Sequence, residues 1–234
     1  MARITRKELK TDKFALEVEH TVDFFEEHRK ELVRYGAVAL VLILVGVAVY
    51  YYRSQQHDAR QAALAKAILV QEATIGQAPP GNLSFPTQQE KDAAATKAFT
   101  ELSAKYPGSD EGDIAEYYLG CIAADQGNLA EAVKHYQKVA DSGSKQYGSL
   151  AKFSLAQIEI MEGKTDQGEK LLRWLIDNPS VFVSKDQATL ALAKAIAPTR
   201  PNEAMKLLDP LRTSSDSGVS QTAITTYAEL AAIH

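Results

Sequence analysis

An uncharged stretch of eighteen residues lies between Arg34 and Arg53, within RYGAVALVLILVGVAVYYYR, and it restricts the fold more than any other feature. The hydrocarbon core of a bilayer, about 30 Å thick, is crossed by roughly 17–25 apolar helical residues. The stretch contains no proline, and tyrosines stand at both of its ends, at Tyr35 and at 50–52. Tyrosine rings are favoured at the headgroup level of a membrane. The sequence therefore predicts a transmembrane helix over residues 35–52.

Two alternatives for this stretch agree less well with the sequence. A buried helix of a soluble protein normally keeps a polar face, and the stretch has none. A secretory signal peptide has a short charged leader, about 7–15 apolar residues and a small-x-small cleavage site close behind them. Here the leader is 34 residues long, and the next such pattern, ALA at 63–65, comes more than ten residues after the stretch. We therefore expect an uncleaved anchor surrounded by membrane lipid.

The distribution of positive charge predicts the orientation of this anchor. Residues 1–34 hold eight Lys and Arg residues, whereas the 34 residues after the span hold three. Because cytoplasmic flanks carry the excess of positive charge, we expect the N-terminus in the cytosol, although the bias nearly vanishes close to the span. The net charge of the chain is −4, and its basic residues form no stripe, so the composition indicates no nucleic-acid partner.

Four regions follow from these patterns. Residues 1–34 are predicted to form a cytosolic juxtamembrane helix, either solvated or acting as a docking helix for a membrane partner. Residues 35–52 are the transmembrane helix, and residues 53–87 are a connecting helix followed by a loop rich in Pro and Gly. Residues 88–234 form the repeat domain.

A repeat with a period of 36 residues organises this last domain. Gly127 and Gly163 align at that spacing, and each is expected to end a helix in a left-handed conformation. A small residue, followed by a large one four positions later, lets two antiparallel helices approach closely and fills the gap to the next pair. One helix pair cannot bury its own apolar face, so at least about three pairs must stack. These repeat packing residues are Ala95 with Phe99, Ala132 with Tyr136, Gly168 with Leu172, and Ala204 with Leu208.

The pattern small-x-x-x-large-x-x-large, followed by Pro in YPGS or NPS, resembles the tetratricopeptide repeat over residues 89–213. The resemblance implies three to four degenerate copies, and the final segment SGVSQTAITTYAELAAIH resembles a lone closing helix. Three departures are the missing Trp near each first helix, the period of 36–37 residues instead of 34, and APTRP in place of a Gly turn in the third full copy. The predicted fold is all-α, with an N-terminal helix and a single transmembrane helix followed by a tetratricopeptide-like α-solenoid.

The wider layout resembles the ancillary subunit of the bacterial Sec translocon, a single-pass protein with a small repeat domain. That resemblance implies a protein–protein interaction module in the bacterial inner membrane, with its repeat domain in the periplasm. Its implied partners are translocon subunits, periplasmic chaperones or segments of client proteins. The same parts also suit an envelope scaffold for cell division or wall assembly, which is the alternative. A third hypothesis is an enzyme accessory or a hydrolase, but no residue pattern in the sequence supports it.

The first helices of stacked pairs line the concave side of a solenoid. By the resemblance, seven residues are expected to face such a groove: Ile114, Tyr117, Cys121, Phe153, Gln157, Ile160 and Met161. The set is mostly apolar and lacks the Lys, Asn and Arg cluster that grips a terminal carboxylate. Either another part of the chain, such as helix 54–75, covers this surface as core, or the groove is open to an apolar segment of a client.

Catalytic and metal chemistry have little support in the sequence. There is no phosphate loop, nucleophile elbow or metal-ligand spacing, so we expect no enzyme and no cofactor. His20, Asp23 and Glu27 share a helical face, but solvated charge patterns of this kind are common. Cys121 is the single cysteine, which excludes an intrachain disulfide, and no basic neighbour in the sequence lowers its pKa.

Overall fold

The computed structural model describes residues 29–77, 79, 81–142 and 145–233. The predicted juxtamembrane helix over 1–34 therefore lies largely outside the described residues, and His20, Asp23 and Glu27 lie wholly outside them. The described residues are helical apart from two strands of two residues each and the turns and loops between elements. This confirms the predicted fold class, an all-α fold of the solenoid type.

The first helix, α1, spans Arg29–Gln71, and two short strands follow it, β1 (Thr74–Ile75) and β2 (Ser84–Phe85). A 3₁₀ helix, Pro210–Thr213, precedes the last helix. The remaining helices are α2 (Gln88–Lys105), α3 (Asp110–Asp125), α4 (Leu129–Asp141), α5 (Lys145–Met161), α6 (Thr165–Asp177), α7 (Lys185–Ile196), α8 (Pro201–Leu208) and α9 (Ser217–Ile233).

The chain divides into two compact units, Met1–Asp58 and Ala59–His234. The apolar stretch belongs to the first unit and is fully helical. Its helix is long and apolar enough to cross a membrane, with a mean hydropathy of 2.1 over the most apolar window. No part of that window is buried against the described residues, so the described part of the chain does not use this helix as a core helix.

In the second unit, two turns show why the chain folds into helix pairs. Gly127 and Gly163 have φ angles of 76° and 80°, which confirms the predicted left-handed conformation at both positions. The next amide donates back into the preceding helix in each turn, from Asn128 to the Ala123 carbonyl and from Lys164 to the Glu159 carbonyl, both at 2.8 Å. This is the Schellman arrangement that ends a helix at glycine. The same turn thus recurs between α3 and α4 and between α5 and α6.

The eight repeat packing residues all occupy buried positions. Ala95, Phe99, Ala132, Leu172, Ala204 and Leu208 are completely inaccessible, Tyr136 is almost so, and Gly168 is also buried. The small residues mark close helix approaches, as Gly168 shows: a Cβ there would lie 2.5 Å from Cγ1 of Ile160. The buried residues form three apolar clusters that follow one another along the chain.

The end of α1 belongs to the second unit and shares its apolar packing with α2 and α3. Leu64 and Ala67 are buried in one cluster with Phe99 of α2 and Leu119 of α3. Two polar contacts join it to α3, because the Nε of Arg60 and the Nε2 of Gln61 donate to the two carboxylate oxygens of Glu111, at 3.0 and 3.1 Å. Residues 59–71 therefore contribute to the apolar cluster that α2 and α3 form and are joined to α3 by hydrogen bonds.

The loop between α1 and α2 contains the two strands. They pair in parallel, with Thr74 opposite Ser84 and Ile75 opposite Phe85. A strand of two residues is too short to produce a period-2 pattern, so the sequence gives no signal for it.

Candidate functional site

A cleft of about 940 Å³ opens in the second unit. The described lining comes from the end of α3, from α4, α5 and α6, from the loop that precedes α7, and from α7. It is mainly aliphatic and aromatic, with a few polar side chains. A cavity of this size lies at the upper end of the range for small-ligand sites, so it accommodates several side chains of a partner.

The lining residues of α5 and α7 follow one helical face. Leu150, Phe153 and Gln157 line the cleft from α5, at a spacing of three and four residues. Gln187, Leu190 and Lys194 line it from α7 at the same spacing. Residues three and four apart share one side of a helix, so the repeat presents equivalent positions of successive helices to the cleft.

The structure separates the seven predicted groove residues into two groups. Phe153, Gln157, Ile160 and Met161 line the open cleft, and Met161 is 68% exposed. Ile114 instead packs against the apolar cluster to which the end of α1 contributes. Tyr117 and Cys121 pack against the next cluster, around Tyr136. The α3 positions thus pack against apolar clusters, and the α5 positions line the cleft.

Tyrosine rings occupy the space beside α3. The ring of Tyr117 lies 5.6 Å from that of Tyr136 and 5.7 Å from that of Tyr147. Burial raises the pKa of Tyr117 to about 12, so its hydroxyl stays protonated at neutral pH. Burial also raises the pKa of the Cys121 thiol, to which the Tyr136 hydroxyl donates a hydrogen bond at 3.4 Å. Cys121 is thus a neutral packing group and not a reactive thiolate.

The contribution of α7 to the cleft was not predicted, although a signal for it exists. Ile114, Tyr117 and Cys121 lie 36 residues before Leu150, Phe153 and Gln157. The next step is 37 residues, because the α7 positions are 187, 190 and 194. Extending the repeat into the third copy with one extra residue would have identified all three α7 positions.

The loop between α6 and α7 forms one edge of the cleft and is held by its own hydrogen bonds. The Ser180 hydroxyl accepts from the amides of Phe182 and Val183, at 3.3 and 3.0 Å, and the Ser180 amide donates to the Val183 carbonyl at 2.9 Å. Val183 is buried, whereas Phe182 is 42% exposed and Val181 is 87% exposed. The loop therefore presents two apolar side chains to solvent from a fixed backbone.

Two opposite charges stand among the cleft residues. Among the described residues of the lining, Asp125, the last residue of α3, is the only acidic one, and Lys194 of α7 is the only basic one. Both side chains are exposed, and neither forms an ion pair with any residue that the structure describes. Lys194 also borders a smaller cleft that Glu229 of α9 lines.

A buried carboxylate forms two ionic contacts away from the cleft. His135 Nδ1 and Glu116 Oε2 are 2.8 Å apart, and Lys138 donates to the other carboxylate oxygen. Burial alone would raise the pKa of Glu116, but the hydrogen bonds from His135 and Lys138 outweigh it and lower the pKa to about 2. This carboxylate stays ionised and joins α3 to α4, which is a structural role.

Within residues 29–77, 79, 81–142 and 145–233, no group of three or more His, Cys, Asp or Glu side chains is placed to hold a metal ion. The helical repeat fold is typical of non-catalytic interaction modules. The cleft offers a mainly apolar surface on which a partner can bury side chains, and its described lining also includes the polar residues Ser154, Gln157 and Gln187.

Comparison with protein families gives one match. The family described as a tetratricopeptide repeat-like domain matches residues 23–185, which is more than half of the chain. The matched range includes the apolar helix and the helices α2 to α6, and it ends at the first residue of α7. Comparisons with curated proteins and with solved structures find no match.

Proposed function

We propose, from the premise that the chain belongs to the tetratricopeptide repeat-like domain family, that it is a membrane-anchored accessory of the Sec translocon. Domains of this kind bind protein partners, and the chain is a protein–protein interaction module. In the proposed role it links export to periplasmic folding helpers. One observation carries the proposal: an apolar helix without burial and a repeat domain with an open cleft occur in a single chain.

The apolar helix supports the anchoring part of the proposal. Large apolar side chains such as Leu42, Ile43 and Val47 are each about 60% exposed, at 66%, 63% and 59%. Leaving this much apolar surface in water is unfavourable, and a bilayer removes it from water. The surplus of Lys and Arg before the span supports an N-terminus in the cytosol and a repeat domain in the periplasm.

The arrangement of parts supports the translocon assignment. A charged segment, one span, a helix that continues into a repeat domain and a small number of degenerate helix pairs resemble the ancillary Sec subunit. An apolar cleft on the periplasmic side of such a protein would meet unfolded segments as they leave the channel. Those segments expose the apolar side chains that a folded protein hides.

Copurification tests this proposal. Photocrosslinkers placed at exposed positions of the repeat domain, followed by extraction in mild detergent, should enrich translocon subunits and periplasmic folding helpers. The control is the same repeat domain attached to an unrelated membrane span, which separates capture by the domain from general membrane neighbourhood. Enrichment of neither class would contradict the proposal. A septal band of the tagged protein, in place of an even membrane distribution, would support an envelope scaffold instead.

A further inference from the structure

We infer that the cleft binds a short internal segment of a protein chain that is apolar in its middle and carries one basic and one acidic residue at its two ends. The inference rests on the proposed interaction function and adds the chemistry of the partner. It follows from the lining of the cleft and from two charged residues in that lining, Asp125 and Lys194, which form no ion pair with a described residue.

The middle of the segment must be apolar because most of the described lining of the cleft is apolar. Leu150, Phe153, Leu190 and Ala191 line it without being fully buried, so they offer surface to a partner. The exposed thioether of Met161 stands at the edge. Methionine adapts to differently shaped apolar partners, which suits a site that takes more than one sequence.

The ends of the segment are set by Asp125 and Lys194. These residues belong to α3 and α7, and α5 contributes the lining between them. A base beside Asp125 and an acid beside Lys194 would form two ion pairs at once. A segment with the same charge at both ends would place one like-charged pair in contact, which is unfavourable.

The spacing of packed helices sets the length that we propose for the segment. We take the two charged positions, on α3 and α7, to lie about two helix spacings apart, roughly 16–20 Å. An extended chain covers about 3.3 Å per residue, so about five or six residue steps, from the first residue of the segment to the sixth or seventh, cover that distance. A free C-terminus is not required, since the described part of the lining has a single cation, Lys194, and no cluster of Lys, Asn and Arg that would surround a terminal carboxylate.

Binding of synthetic peptides to the full-length chain in lipid nanodiscs tests the inference. Three blocked seven-residue peptides share a core of five Leu and Phe residues and differ at their ends: Lys with Asp, Asp with Asp, and Lys with Lys. An uncharged fluorophore reports binding through anisotropy, and empty nanodiscs give the lipid background. We expect the mixed peptide to bind about 2- to 5-fold more tightly than either same-charge peptide, which is the usual range for one exposed ion pair.

Charge reversal should change this order in a defined way. Lys194→Glu makes both charged positions of the lining acidic, so the peptide with Lys at both ends should become the best ligand. Asp125→Lys makes both positions basic, so the peptide with Asp at both ends should become the best ligand. Lys206→Glu, on an exposed position of α8 outside the cleft lining, is the matched control and should keep the original order. All three positions are exposed, so the variants are expected to fold.

Three results would overturn the inference. One is an order of affinities that the cleft variants leave unchanged, and another is binding no stronger than to empty nanodiscs. The third is self-association of the chain that disappears in Lys194→Glu, which would assign the cleft to a second copy. None of these depends on which partners copurify. Capture of translocon subunits that is insensitive to Lys194→Glu would keep the proposed function and reject this use of the cleft.

Discussion

Gly168 illustrates how a single hydrogen atom in place of a side chain sets the distance between two helices. A Cβ at this position would lie 2.5 Å from Cγ1 of Ile160 and 2.8 Å from the Ala156 carbonyl oxygen. The second contact is to backbone, which cannot rotate away. Gly120 has the same role beside Tyr136, whose ring would lie 2.6 Å from an added Cβ.

We therefore expect Gly168→Ala to destabilise the chain by about 1–3 kcal/mol, the usual cost of overpacking. The matched control is Gly148→Ala, because a Cβ there would meet its nearest neighbour, the Val139 carbonyl oxygen, at an ordinary 3.5 Å. Alanine favours helix over glycine, so the control should be neutral or stabilising. Chemical denaturation followed by circular dichroism measures both. Equal stability of the two variants would contradict this account of the close approach.

Glu116 gives a prediction in which pH is the variable. Its ordinary pKa of 4.5 is lowered to about 2 in the folded chain, so the ionised form is favoured by folding. The stabilisation is complete above about pH 4.5 and is lost as the pH falls towards 2. We expect Glu116→Gln to cost about 1–3 kcal/mol at pH 7. The difference in unfolding free energy between wild type and variant should shrink below pH 4.5, whereas a constant difference would exclude the charge as its cause.

At the scale of helices, the part of the fold that sequence predicts best is the part that repeats. The spacing of Ala132, Gly168 and Ala204 identifies the second helix of three pairs, because the same packing problem recurs every 36 residues. The packing of the end of α1 does not follow from spacing. This helix end precedes a Pro- and Gly-rich loop, contributes Leu64 and Ala67 to the apolar cluster of α2 and α3, and is joined to α3 by the contact of Arg60 with Glu111, 51 residues away. Such a contact does not recur with the repeat.

In the cleft, too, the repeat predicts some features and leaves others open. The positions on α5 were predictable, since they repeat those on α3 after 36 residues. Whether they would be open was not, because that depends on what packs against them. Tyr147 packs against Tyr117 on one side, while Phe153 is left to line the cleft. The side chains that decide this come from neighbouring elements and not from the repeat itself.

The packing of α1 in the cluster with α2 and α3 predicts a contrast between two alanines. Ala67 is 1% exposed, whereas Ala65 is exposed on the opposite side of the helix. Ala67→Leu should overpack the contact with α2 and α3 and cost about 1–3 kcal/mol, and Ala65→Leu should change stability by less than about 0.5 kcal/mol. Hydrogen exchange should locate the loss of protection in residues 59–71 and in α2. Equal hydrogen exchange in the two variants would mean that Ala67 does not pack against α2 and α3.

At the scale of the whole chain, the proposed transmembrane helix over residues 35–52 gives a prediction about membrane insertion. Arg at Val45, in the middle of the proposed span, should cost about 2.5–3.5 kcal/mol on insertion scales. Arg at Tyr50, near the end of the span, is the matched control, since a long side chain there can extend its charge to the interface. Carbonate extraction should release much more of the Val45→Arg protein than of the control. Equal retention of both proteins would contradict a span over 35–52.

The three apolar clusters lie in series, and Leu171 packs against two of them at once. The cleft draws its lining from the same two clusters, with Tyr136 and Ile158 from one and Leu172 and Val183 from the other. In a chain of neighbouring contacts, each cluster can open without the next. A bound segment would contact both clusters, so the two clusters would unfold together. Occupancy of the cleft would thus increase the cooperativity of unfolding along the repeat domain, beyond the residues that the segment contacts.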